Sequence, residues 1–218
     1  MTPNNIANMA ALSGCEIIAI TDHNTCKNAA SVMKAGESCG LLVLPGMELC
    51  TSEEAHVVCL FETLEGAMGF DAYIYKNMPH VKNKAEIFGE QRLLDENDEL
   101  IGREENLLLV SSLIGVNEVV SLAEEYGGTA FPAHVDRDSY SVLASLGTIP
   151  PEARFAAAEV TRDCDLDKLR QQYPELSQMR IVSDSDSHYL ESLTGEPRRL
   201  HLPEKTRRAV INALKAVN

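Results

Sequence analysis

Four of the six histidines in this chain, His23, His56, His134 and His188, fall beside the ends of short apolar runs, each with an acidic residue nearby in the sequence or in the expected fold. A lone histidine at a strand end is usually a satisfied structural residue. Four of them, joined by Glu48 and by the run Ser183-Asp184-Ser185-Asp186-Ser187-His188, are hard to explain as packing. Neutral imidazoles together with carboxylates suit zinc, manganese or iron better than calcium or magnesium alone. Asp186 and His188 are two residues apart, so on an extended strand both would point at one cluster. Glu48 follows a Pro-Gly pair at a strand end, where its two oxygens can bridge two cations. Glu159 also ends an apolar run and is given a mainly structural role. His80 and His201 lack such context and are assigned to the surface or to packing.

Elements that hold these residues can be read between them. Thr2 as N-cap, Pro3 at the first helical position, Ile6, Met9 and Ala10 on one face and Gly14 as the stop predict an opening helix. EIIAIT (16–21), LLVLPGMEL (41–49), HVVCLF (56–61), TAFPAH (129–134), AAAEV (156–160) and RIVSDSD (180–186) read as buried strands ending in ionisable residues. Helical periodicity separates several of them: Val116, Val119, Val120 and Ala123 share a face, as do Val210, Ile211, Leu214 and Val217. This alternation predicts an α/β fold with a mostly parallel sheet, best met by a barrel whose strand ends converge on one mouth. Residues 62–106 interrupt the pattern with a charged segment that turns at Glu96-Asn97-Asp98, read as an inserted hairpin region in a single domain spanning 1–218.

Composition narrows the function. A net charge of −14 opposes binding to a nucleic-acid polymer, whose affinity comes from Lys and Arg neutralising phosphates. A small anionic substrate remains compatible, because cations held in a pocket reverse the local potential. No run approaches a membrane span and MTPNNIANMA is no signal peptide, so a cytoplasmic protein is expected. The six cysteines form no C-x-x-C pair and are read as reduced packing residues. No G-x-S-x-G element supports a serine nucleophile. A homo-oligomer is compatible with the sequence.

The segments TDHNT (21–25), PGMEL with HVVCLF after it, FPAHVDR (131–137) and SDSDSH (183–188) resemble, in order and spacing, motifs two to four of the PHP family, named for polymerase and histidinol phosphatase. The likeness runs from Met1 to about Leu202. It implies a distorted (β/α)7 TIM-like barrel holding two or three divalent ions, manganese, iron or zinc, for hydrolysis of a phosphomonoester or small phosphodiester by metal-activated water. In that pattern Glu48 bridges two ions, His56 and His134 complete the second site, His23 and His188 belong to the third, and Asp186 serves the first. Arg137 matches a position that binds substrate phosphate, with an ion pair to Asp136 or Asp138 as its structural alternative. Asp22 or a cage histidine such as His188 would orient a ligand or protonate the leaving oxygen, with support of the cage from behind its ligands as the main role read for Asp22.

One part of the pattern is missing. A strand bearing His-x-His belongs before the first helix, and without it the first ion keeps Glu48 and Asp186 alone. We expect a start upstream of Met1, because loss of a central strand exposes backbone groups that folding cannot leave open. The alternative is a catalytically impaired metal-binding or regulatory module derived from such an enzyme.

Overall fold

The computed structural model describes residues 1–193 and 198–216. Its helices are α1 (Pro3–Leu12), α2 (Ala29–Ser38), α3 (Leu64–Lys76), α4 (Ala85–Phe88), α5 (Val119–Glu125), α6 (Val142–Leu146), α7 (Leu166–Gln172) and α8 (Arg207–Lys215). Its strands are β1 (Ile17–Ile20), β2 (Leu42–Cys50), β3 (His56–Phe61), β4 (Arg92–Leu94), β5 (Leu100–Arg103), β6 (Gly128–Pro132), β7 (Ala157–Glu159) and β8 (Arg180–Val182).

β1 and β2 pair in parallel across α2, with Ile18 opposite Val43. The expected parallel sheet then stops, since β3 pairs antiparallel with β2 and β6 antiparallel with β3. Only residues 51–55 link β2 to β3, and so short a link permits a hairpin but no crossover. β7 and β8 form a second parallel pair around α7, and Val135 N donates to Glu159 O at 2.9 Å, which joins this pair to the end of β6. Among the described residues the strands form one four-stranded sheet, ordered β1-β2-β3-β6, and two two-stranded ladders, with no closed barrel.

Both faces of the main sheet are covered. Val57, Cys59 and Phe61 of β3 join the larger core with Phe70 of α3, while Val58 and Leu60 pack with Leu44, Phe131 and the α8 residues Val210, Ile211 and Leu214. Successive strand residues face opposite ways, so burial on both faces makes HVVCLF a continuous apolar run. Phe61 and Phe70 meet with ring centroids 4.9 Å apart. Val217, which the periodicity adds to the last helix, lies outside the described residues.

Residues 62–106 divide into two parts. The first holds α3, packed inward through Ala67, Phe70 and Ile74, and the second holds α4 and the β4–β5 hairpin. That hairpin is fastened to the first two helices by polar contacts. Thr2 does not cap α1 through its own acceptor; its hydroxyl donates to Asp98 Oδ2 at 2.8 Å, and Asp98 Oδ1 accepts the Asn4 N–H at 2.9 Å. A carboxylate from the hairpin turn thus satisfies the start of the helix. Ser31 Oγ donates to Leu94 O at 2.6 Å, and Lys34 pairs with Glu96.

Candidate metal centre

Strand ends deliver the candidate ligands. His23 follows β1 and forms an isolated parallel bridge with Glu48, in which Asn24 N donates to Glu48 O at 3.0 Å and Glu48 N donates to Asp22 O at 3.2 Å. Asn24 sits in left-handed backbone (φ +52°), a conformation asparagine tolerates better than most residues. Its buried side chain accepts the Cys50 N–H and donates to Leu108 O and Val110 O, each at 2.8 Å, so it ties three segments together behind His23. Glu48 lies within β2 opposite Val58, and His56 opens β3 opposite Cys50. Gly46 lets the two strands approach, since a Cβ there would lie 2.6 Å from Cys59 O. His134 follows β6 at φ +30°.

These positions converge on one carboxylate. Glu48 is 6% exposed; its Oε1 lies 2.8 Å from His56 Nδ1 and 3.3 Å from His134 Nε2, and its Oε2 lies 3.4 Å from His23 Nδ1. His188 Nε2 is 3.5 Å from His23 Nε2. Two trios result, Glu48 with His56 and His134 and Glu48 with His23 and His188, each with its donor atoms within 4.8 Å of one another. They open on a cavity of about 110 Å³ that Arg137, Ser139, Tyr140 and Asp186 also line.

The charge balance calls for a cation. Burial raises the Glu48 pKa, but contacts with His134, His56 and His23 outweigh it and hold the group far below the usual carboxylate range. Burial likewise lowers the His56 pKa, yet contacts with Cys50 and Glu48 lift it to about 9, so without metal this imidazole keeps a proton beside the carboxylate. Glu159 is 4% exposed, and burial together with repulsion from Asp184, Asp186 and Glu48 raises its pKa. Three imidazoles set around one buried, ionised carboxylate, with the His188 ring within reach of His23, are a donor set that fits a divalent transition metal.

Some expectations need correction. Asp22 does not enter this cavity: its Oδ2 accepts Asn28 Nδ2 at 3.0 Å, and its side chain lines a separate space with Thr2, Ile6, Ile20 and Arg92. Residues 22 and 23 continue in extended pairing with Glu48, so their side chains leave on opposite sides and Asp22 supports Glu48 through its carbonyl. Asp186 and His188 are not on an extended strand either, because β8 ends at Val182 and Asp186 has φ +40°. A turn places His188 Nδ1 3.1 Å from Asp186 O, while Asp186 Oδ2 pairs with Arg137 at 2.7 Å. Arg137 therefore meets neither Asp136 nor Asp138, and Asp186 stands outside both trios. Tyr140 and Ser139 carried no signal in the sequence, and the nearness of Glu159 to Asp184 and Asp186 could not be read from it.

Comparison with known proteins gives the fold a wider frame. Endonuclease Q from Pyrococcus furiosus, a lesion-specific endonuclease, superposes with a TM-score of 0.61 at 17% identity over 99% of this chain and 51% of that one. An inferred metal-dependent phosphoesterase from Bifidobacterium adolescentis gives 0.58 at 15% identity, over 89% and 85% of the two chains. An amidohydrolase from Chromobacterium violaceum, with sulfate bound and no metal, gives 0.56 at 17%, over 92% and 87%. The chain shares their fold. No family model matches the sequence. An uncharacterized protein of Methanocaldococcus jannaschii is 37% identical over 59 residues, 27% of this chain and 34% of that protein. The chain thus spans about a third of its curated relative and half of endonuclease Q. Among the described residues no helix is long and apolar enough to cross a membrane.

Proposed function

We propose that this chain is a metal-dependent phosphoesterase domain that hydrolyses a phosphomonoester or small phosphodiester. The observation that carries the reading is Glu48, one buried carboxylate shared by two ligand trios at the floor of a cavity with an arginine on its wall. The fold shared with a phosphoesterase, an amidohydrolase and an endonuclease supports it. Glu48, His56 and His134 would hold one cation and Glu48, His23 and His188 another, with manganese, iron or zinc as the candidates. Asp186 and Glu48 are the ligands these residues offer to a third. A divalent ion bound there stabilises developing negative charge and makes water acidic enough to ionise near neutral pH.

The chain's own residues do the rest. Arg137 exchanges Asp186 for a phosphoryl oxygen, since its guanidinium suits either anion. The new bond forms between water oxygen and phosphorus, the ester P–O bond breaks, and the leaving oxygen takes a proton from solvent at the open mouth. His134→Ala in metal-loaded protein should lower phosphate release from 4-nitrophenyl phosphate by at least roughly 100-fold, the scale on which metal sites lose activity even when an outer partner is removed. Equal release by the two proteins would overturn the reading. Saturable metal binding with no release by either would leave the impaired module in its place.

A second reading has one observation behind it. Endonuclease Q, bound to a 27-mer duplex with an abasic lesion at its active site, superposes with a TM-score of 0.58 over 97% of this chain. The −14 charge stands against a duplex ligand. Cleavage of a labelled abasic duplex in the same assay separates the two.

A further inference from the structure

The loop between β6 and α6 carries three contributions to the cavity wall within four residues, a cation at Arg137, a hydroxyl at Ser139 and a ring at Tyr140. Its shape is fixed at both ends. Arg137 N donates to His134 O at 2.9 Å, Ser141 Oγ donates to Arg137 O at 2.7 Å, and the same hydroxyl accepts the Ala144 N–H at 3.1 Å to cap α6. Between these anchors Tyr140 adopts left-handed backbone (φ +53°), a conformation a bulky residue rarely takes without a compensating contact. The compensation comes from the cage, since His56 N donates to Tyr140 O at 2.9 Å. The Tyr140 ring then lies over the His56 imidazole, with centroids 4.9 Å apart and planes 25° from parallel.

Stacking uses one face of the phenol ring. Tyr140 is nonetheless 54% exposed, on the wall of the cavity that Arg137 also lines. From this juxtaposition we infer that Tyr140 is a specificity-determining residue, a stacking platform for a flat unsaturated ring carried by the phosphoryl substrate while Arg137 holds the anion. The inference rests on the anion-binding part of the proposed function and deepens it by naming a substrate class, esters of planar aromatic or heteroaromatic alcohols over those of alkyl alcohols.

The test reads binding, so it does not depend on turnover. Affinities of manganese-loaded protein for phenylphosphonate and methylphosphonate, two probes that cannot be hydrolysed, are measured by titration calorimetry. Stacking of one ring is worth on the order of tenfold in affinity, so wild type should prefer the phenyl probe by about that factor. Tyr140→Phe should keep the preference and Tyr140→Leu should bring the two probes level, with metal content measured for every variant. Equal affinity in wild type, a preference that survives in Tyr140→Leu, or failure of both probes to bind would each overturn the inference. A parallel loss for both probes in Tyr140→Leu, with their ratio intact, would assign Tyr140 to holding His56 in place and would also overturn it. Absence of hydrolysis with the ring preference present would sink the phosphoesterase reading alone.

Discussion

At the scale of single residues, Glu48 has two jobs and its neighbours one each. It belongs to both trios, whereas His188 belongs only to the one with His23 and His134 only to the one with His56. Glu48→Gln should therefore weaken both sites, and His188→Ala one of them. Stoichiometry measured by inductively coupled plasma spectrometry after dialysis checks this, with both equivalents falling for Glu48→Gln and one retained for His188→Ala. Equal stoichiometry in the two variants would dissolve the shared-carboxylate picture. The ligand types were legible in the sequence because imidazoles and carboxylates at strand ends are conspicuous. Tyr140 was not, since its role depends on one backbone angle and on a carbonyl that accepts from His56, and neither leaves a mark on residue type. The direction of Asp22 was equally hidden, because it depends on the extended pairing with Glu48 continuing past the end of β1 to His23.

Between residues and molecule stand the elements that aim the ligands. Asn24 fastens the turn after β1 to Cys50 and to the segment at Leu108 and Val110, and it is 2% exposed. Asn24→Ala leaves buried backbone groups unpaired and puts alanine in left-handed backbone, so it should cost about 3 kcal/mol of stability. Urea denaturation of metal-free protein checks the figure, and a loss under about 1 kcal/mol would mean that water replaces the side chain. Strand positions were readable from apolar runs, and their pairing was not. The direction of β3 had a signal in the few residues between the runs LLVLPGMEL and HVVCLF, which leave no room for a crossover. Capping of α1 by Asp98 had none, for it joins residues 94 or more apart.

For the molecule as a whole, His56 and Glu159 set the pH response. The His56 pKa rises from 6.5 to about 9 on folding, so the stability its proton contributes is complete below pH 6.5 and is lost as pH climbs through 9. Glu159, also raised, acts in the same sense above its ordinary value, because folding opposes its ionisation. The Tm of metal-free protein should fall between pH 6.5 and 9 by at least about 2–4 °C, the change 1 kcal/mol produces at this chain length, since a shift of this size is worth more than that before solvent screening. Saturating manganese should remove most of that fall. A metal-free Tm that stays level or rises across this window contradicts the assignment. Layered α/β order was visible from the alternation of patterns. How the strands group among the described residues, one four-stranded sheet and two ladders, was not, since pairing depends on which edges meet.

The hairpin of β2 and β3 bears on how the centre comes together in a folding chain. Glu48 and His56 are eight residues apart and face each other across a short turn, whereas Glu48 and His188 are 140 apart. Loop-closure entropy grows with the logarithm of that spacing, which makes the first pairing cheaper by about 2.5 kcal/mol before any native packing. Two of the three members of one trio thus come together locally, on the microsecond scale of a hairpin, while the other trio waits for a contact across most of the chain.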